Sequence, residues 1–261
     1  EVLPQKEILK IRSIQTLGKS SPSVKIGDRA AFNLKTKKRL KLKRGDILAS
    51  KGILNSFTVA IINLNMNSIS GFKIKNKQRV KFYFGTSEVI GRITLCSYKV
   101  LKEGQTDHAI IKLEKPSFAI IDDKFIIRSY SLLETLAGGS LLMMENSSSF
   151  KKIKLTCKNI PIKPKERFEY LIRLKWRRPK TIQDWKIFFL NNYHLVDNWI
   201  EEFNFKIILK NKLVYSIESE NKSIKNFLKF LDLYYSENKF VKYLNDEIII
   251  FSLNWSKEWL E

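Results

Sequence analysis

In short runs along the first half of the chain, apolar and polar residues alternate. Ile8-Leu9-Lys10-Ile11-Arg12-Ser13-Ile14, Ala30-Ala31-Phe32-Asn33-Leu34 and Val80-Lys81-Phe82-Tyr83-Phe84 each carry this period, which predicts half-buried strands. Further short strands are expected at Val89–Leu95, Ala109–Leu113, Phe118–Ile121 and Phe125–Ser129. Turn signals separate them: Gly27-Asp28, Arg44-Gly45-Asp46, Glu103-Gly104-Gln105 and Asp122-Asp123. Many short strands punctuated by Gly and Asp are the pattern of small antiparallel barrels or sandwiches.

Beyond the polar stretch Glu145-Asn146-Ser147-Ser148-Ser149 the period lengthens. Pro164 opens a helix expected to run to about Trp176, with Phe168, Leu171, Ile172 and Lys175 along one face. Thr181 and Asp184 form a possible capping box for a second helix through Leu190, and Val196–Phe203 gives a third. Phe205–Leu209 and Leu213–Ser216 flank Lys210-Asn211-Lys212 as a hairpin. Three short helices followed by a hairpin is the winged-helix order. Ser219–Tyr235 is a further amphipathic helix, with Ile224, Phe227, Leu228, Leu231 and Tyr235 on one side, and Asn245–Leu253 reads as a strand.

The fold class is therefore mainly β, then α+β: two small antiparallel β-barrels followed by winged-helix-like units. The expected boundaries are 1–52 for a partial first barrel and 53–145 for a second barrel. A linker follows at 146–160, then a winged-helix-like domain at 161–217 and a partial second such unit at 218–261.

Charge narrows the partners. Lys and Arg number 48 against 26 Asp and Glu, a formal net charge of +22 over 261 residues. That excess predicts a polyanionic partner, nucleic acid first and an anionic membrane surface second. Hydrophobic residues are 44% of the chain, enough for packed cores. The most apolar window, Phe57–Leu64, has the length of a strand and not of a membrane span. No signal peptide is visible and the first residue is not Met, so a cytoplasmic location and an origin inside a longer protein are expected. Cys96 and Cys157 stand far apart in Lys-rich surroundings and read as two buried or reduced thiols, with a disulfide or metal role as the alternative.

Gly18-Lys19-Ser20 is the ending of a phosphate-cradling loop, G-x-x-x-x-G-K-[ST]. The leading glycine is missing, since Ser13 stands there, and Pro22 follows where a helix should begin. The segment reads as a turn between strands. Elsewhere catalytic signals are thin. His108 and His194 are the only histidines, and no H-E-x-x-H, C-x-x-C or G-x-S-x-G occurs. No catalytic residue and no metal site is expected in this chain.

Basic residues interleaved with an aromatic say more. Arg173, Lys175, Arg177, Arg178 and Lys180 surround Trp176. Guanidinium groups pair bidentately with phosphates, and an indole stacks on an unpaired base. Equally, cations suit a helix end and Trp176 suits a core. Lys35–Arg44, with Lys37, Lys38, Arg39 and Lys41, is denser still in charge, and is either a solvated hairpin face or an RNA contact.

Spaced segments of the first half resemble a known family. Ile11–Ser20 precedes Val24-Lys25-Ile26-Gly27-Asp28-Arg29-Ala30-Ala31-Phe32-Asn33-Leu34, and Lys43-Arg44-Gly45-Asp46-Ile47-Leu48 follows. This order resembles the second domain of translational GTPases, and among them the selenocysteine-specific elongation factors. Phe84-Gly85-Thr86-Ser87-Glu88-Val89-Ile90-Gly91-Arg92-Ile93 is similar to a motif of that family's third domain. So is Phe125–Ser131 followed by Glu134-Thr135-Leu136-Ala137-Gly138-Gly139, where Ala137 replaces a glycine and the turn is expected to differ in detail.

The resemblance implies a monomeric factor that carries selenocysteinyl-tRNA to the ribosome at recoded UGA codons and reads a selenoprotein mRNA hairpin through winged helices. It places Arg29 in the selenocysteine pocket, where a fixed guanidinium would select a selenolate. A plain surface cation is the alternative for Arg29. It makes Lys37, Lys38, Arg39, Lys41, Gly85, Thr86 and Arg92 candidates for tRNA contact. Arg173, Lys175, Trp176, Arg177, Arg178 and Lys180 are candidates for RNA contact on charge and shape alone. GTP and Mg are expected only in a G domain preceding residue 1, and no cofactor in this chain. The tail of another translational GTPase, or a stand-alone basic RNA-binding protein, remains an alternative.

Overall fold

The computed structural model describes every residue except 36–40, 69–70, 132–133, 146–148, 209–211, 240, 242 and 261. By its contacts the chain divides into two units: residues 1–119 with 123–154, and residues 120–122 with 155–261.

The first unit opens with β1 (Val2–Leu3), β2 (Lys10–Thr16), β3 (Lys19–Ser21), β4 (Ala30–Lys35) and β5 (Ile47–Leu48). β1 pairs with β5, and β3, β2 and β4 form an antiparallel three-stranded sheet in that order. Leu17 and Gly18, at φ 49 and 77, are the two-residue turn between β2 and β3. Both positive φ values suit the tight reversal of a hairpin. Gly18-Lys19-Ser20 is therefore part of a hairpin, with Lys19 and Ser20 paired to Thr16 and Gln15. No described residue of β2, β3 or β4 is buried. A partial first barrel was expected here, and the described strands form an open three-stranded sheet beside the separate pair β1 and β5. Three strands cannot wrap round an interior.

Closure comes next. β6 (Phe57–Met66), β8 (Arg79–Phe84), β9 (Ser87–Leu95), β11 (Thr106–Ser117), β12 (Lys124–Ser129) and β13 (Thr135–Glu145) make a closed barrel, with β7 (Ile74–Lys75) and β10 (Val100–Leu101) paired beside it. Every neighbouring pair is antiparallel. Along β8, Val80, Phe82 and Phe84 are buried between half-exposed Arg79, Lys81 and Tyr83. The period of two has become an inside and an outside. Phe57, Phe82, Phe84 and Phe125 meet in the interior with ring centroids 5.7 to 6.3 Å apart, within the range of favourable edge and offset contacts. β11 runs through Ser117, and Phe118–Ile121 is irregular, with Phe118, Ala119 and Ile121 buried, so the separate strand expected there does not exist.

Two glycines let strands close up. A Cβ on Gly91 would lie 2.8 Å from the Lys112 carbonyl oxygen, and one on Gly139 only 1.9 Å from that of Asn63. Gly138 is looser, at 3.3 Å from the Phe125 oxygen. The segment around Ala137 is strand β13 and not a turn, and Ala137 itself is buried.

After the barrel come α1 (Phe150–Asn159), α2 (Pro164–Leu174), β14 (Lys180–Thr181) and α3 (Ile182–Phe188). A 3-10 segment, Leu190–Leu195, leads to α4 (Val196–Glu202), β15 (Lys206–Ile208) and β16 (Leu213–Tyr215), then α5 (Ile217–Glu237), α6 (Asp246–Leu253) and α7 (Lys257–Leu260). β14, β16 and β15 form a small antiparallel sheet in that order. Each start has a local cause. Pro164 stands at the beginning of α2. Thr181 and Asp184 form a complete capping box on α3. The Ser216 hydroxyl accepts from the Ser219 N–H, and the Asn245 side chain from the Glu247 N–H. Phe168 is the centre of this unit's core, with the rings of Trp185, Trp199, Phe189 and Phe205 5.5 to 6.1 Å from its own.

Two expectations fail here. The stretch 146–160 was expected to be a linker, but residues 150–159 are α1, which buries Ile153, Thr156 and Cys157 at helical spacing. Asn245–Leu253 was expected to be a strand and is α6. Its apolar run is too short to reveal a period, while the Asn245 cap and the first-turn acids Asp246 and Glu247 decide for a helix. In addition, neither Cys96 nor Cys157 is a free thiol, against the expectation of reduced cysteines.

Candidate nucleic-acid interface

Two copies of one turn shape the N-terminal surface. In Lys25-Ile26-Gly27-Asp28 the Asp28 carboxylate accepts from the Lys25 N–H at 2.7 Å, and the Asp28 N–H donates to the Lys25 oxygen at 3.1 Å. Lys43-Arg44-Gly45-Asp46 repeats both bonds, at 2.8 and 3.1 Å. Gly27 and Gly45 sit at φ 95 and 97, which the third position of such a turn demands and which glycine adopts at no steric cost. Arg29 follows the first turn directly, exposed at the mouth of β4, and no described residue hydrogen-bonds or ion-pairs with its guanidinium. Lys41 is exposed as well. Lys37, Lys38 and Arg39 lie outside the described residues.

On the barrel, Gly85 (φ 55) and Thr86 form the exposed two-residue link between β8 and β9. Arg92 is exposed on β9, and its Nη1 donates to the Lys77 carbonyl at 3.1 Å. Register shows what spacing hid. Arg92 is opposite Arg79 on β8 and opposite Lys112 on β11. Directly opposed residues share a face, so Arg79, Arg92 and Lys112 make a cationic row across three strands of the barrel exterior. Arg79 forks onto Glu114 at 2.7 and 2.8 Å and lies 4.3 Å over the Tyr130 ring. That bond holds the Glu114 carboxyl below its ordinary value and Arg79 above its own. On the same strand, Tyr83 donates to Glu88 at 2.7 Å and Lys81 stands 2.9 Å from it. Tyr83 and then Lys81 hold the Glu88 carboxyl below its ordinary value.

In the second unit the run Arg173–Lys180 divides. Arg173 is bound to Glu169 and Glu218. Lys175 is half-buried at the end of α2, its N–H donating to the Leu171 oxygen at 3.0 Å. Trp176 is 8% exposed. The Arg177 guanidinium lies 4.3 Å, and the Lys222 ammonium 4.9 Å, from its ring centroid. An indole so buried presents no platform to an unpaired base, so the stacking role considered for Trp176 is withdrawn. Arg178 donates to the Asn254 side chain at 2.5 Å and to its carbonyl at 3.3 Å. Lys180 is half-buried in β14, opposite Val214. Arg177 alone of the run is exposed and makes no hydrogen bond or ion pair to a described residue. Lys222, from α5, joins it from 45 positions away. No helix among the described residues is long and apolar enough to cross a membrane.

Residues 61–148 match the family described as "Selenocysteine-specific elongation factor, beta-barrel domain". The selenocysteine-specific elongation factor of Desulfomicrobium baculatum is 28% identical over 142 residues, covering 54% of this chain and 22% of that protein. Its Haemophilus influenzae counterpart is 26% identical over 148 residues, covering 56% of this chain and 23% of that protein. The chain thus spans under a quarter of the length of these curated relatives. Apo translation elongation factor SelB from Methanococcus maripaludis superposes with a TM-score of 0.49 at 22% identity, over 58% of this chain and 36% of that one.

Proposed function

Because residues 61–148 carry the β-barrel domain of selenocysteine-specific elongation factors, we propose that this chain is the tRNA- and mRNA-binding region of such a factor. The barrel exterior and the sheet before it meet selenocysteinyl-tRNA. The helical unit, read as winged-helix-like from the order α2, β14, α3, α4, β15, β16, meets the selenoprotein mRNA hairpin. Arg29 serves the selenocysteine pocket: a selenol ionises more readily than a thiol, and a guanidinium with no carboxylate partner attracts the anion. Delivery to the ribosome depends on GTP and Mg bound by a G domain of the full-length protein, which acts in the cytoplasm as a monomer.

The observation that carries this reading is the row Arg79, Arg92 and Lys112 on a barrel of that family. Backbone phosphates along a tRNA acceptor arm need a line of cations fixed at strand spacing, and sequence identity matters little there. Filter binding of selenocysteinyl-tRNA by the intact chain, measured against salt, tests it. Each of Arg92→Ala and Lys112→Ala is expected to lower the log–log salt slope by about 0.7 to 0.9. Slopes equal to the parent's would sink the assignment.

A further inference from the structure

We infer that the segment Trp176–Arg178, with α5 and α6, forms a subsite for one unpaired nucleotide of a single-stranded RNA segment. Arg177 and Lys222 hold the phosphate and Phe251 takes the base. The inference rests on the RNA-binding reading above and goes beyond it by placing the contact at α6, a helix no basic motif points to.

Two clefts adjoin at Asn254. One, of about 280 Å³, is lined by Trp176, Arg177, Asn226, Ser252 and Trp255 as well as Asn254. The other, of about 440 Å³, has Arg178, Glu247, Ile250 and Phe251. Asn254 ends α6 in the left-handed conformation, φ 54 and ψ 42, and its two bonds to Arg178 fix the shared wall.

The smaller cleft suits a phosphate. Arg177 and Lys222 both stand over Trp176, and neither has a carboxylate partner among the described residues. Trp255, only 6% exposed, lines the same cleft. The larger cleft suits a base. Phe251 is 89% exposed at its edge, a flat ring on which a base stacks. Glu247 in the same cleft would repel a second phosphate but accepts from an exocyclic amine or a 2′-hydroxyl. A paired base is already stacked and cannot reach Phe251, so the ligand is single-stranded. Exposed Phe beside cations also fits an anionic lipid surface. Arg177, Asn226 and Asn254 on the wall of the smaller cleft, with Lys222 beside them, favour a ligand that enters with oxygen acceptors.

The test titrates the intact chain with a labelled single-stranded oligoribonucleotide of about eight residues, a span comparable to known single-strand site sizes. The same sequence as a duplex and vesicles containing phosphatidylserine are titrated in parallel. Phe251→Ala is expected to weaken single-strand binding about tenfold and leave the salt slope unchanged. Arg177→Gln is expected to lower that slope by about 0.7. Both side chains are exposed, and circular dichroism checks that each variant folds. If the parent binds single strands and neither variant differs from it, the subsite is refuted while the RNA-binding reading stands. If the parent binds no RNA even at about 50 mM salt, both fall. Binding to vesicles that is lost in Phe251→Ala, with RNA binding unchanged, assigns the cleft to lipid and overturns the proposal.

Discussion

In β8, Val80, Phe82 and Phe84 turn inward and are buried, while Arg79, Lys81 and Tyr83 face out. In β2, Ile11 and Ile14 stand three apart, across a register shift between Ile11 and Ser13, and neither is buried. Ile11 is 44% exposed and Phe32, on β4, 37%. Alternation chooses a face for each side chain, but only a second layer removes that face from water. Six strands supply the layer by curling round on themselves, and three do not. The comparison separates what is local in a strand from what belongs to the whole sheet.

The sharpest way to break that contrast is Phe82→Ala. Its ring is fully buried against Phe84 and Phe125, so urea denaturation should show a loss of about 3–5 kcal/mol. A loss near that of a surface substitution would mean that the barrel interior is not the main source of stability. Gly139→Ala comes next, at about 1–3 kcal/mol, because its methyl group would strike the β6 backbone. Hydrogen exchange should follow the same order: amides of β8 and β9 exchange slowly, those of β2 and β4 quickly. Smallest is Phe32→Ser in the open sheet, expected to shift stability by no more than about 0.5 kcal/mol. A larger loss would show that this apolar face is covered in solution.

Much of this was legible in the chain. The strands of the barrel, the capping of α3 and the rejection of a nucleotide loop at Gly18-Lys19-Ser20 all follow from periods and turn residues, which act over a few positions. What was missed acts over many. The row Arg79, Arg92 and Lys112 exists only once register is known. Lys222 meets Trp176 only because α5 packs beside the end of α2. Trp176 was open to two readings because a Trp among cations suits RNA and core alike, and burial decided for the core. The helix α6 was hidden by four successive apolar residues, Ile248 to Phe251, that fit either period. Its cap at Asn245 was the available signal.

The three positions Ala137, Gly138 and Gly139 look alike in the sequence but impose unequal demands. At 137 a methyl group already has room. At 138 it would press lightly on a neighbouring strand, and at 139 it would overlap backbone oxygen. A library randomised at all three codons and selected for folded protein should return glycine almost invariably at 139, small residues at 138 and a looser mixture at 137. Position 139 is thus where the neighbouring backbone leaves the least room for any side chain.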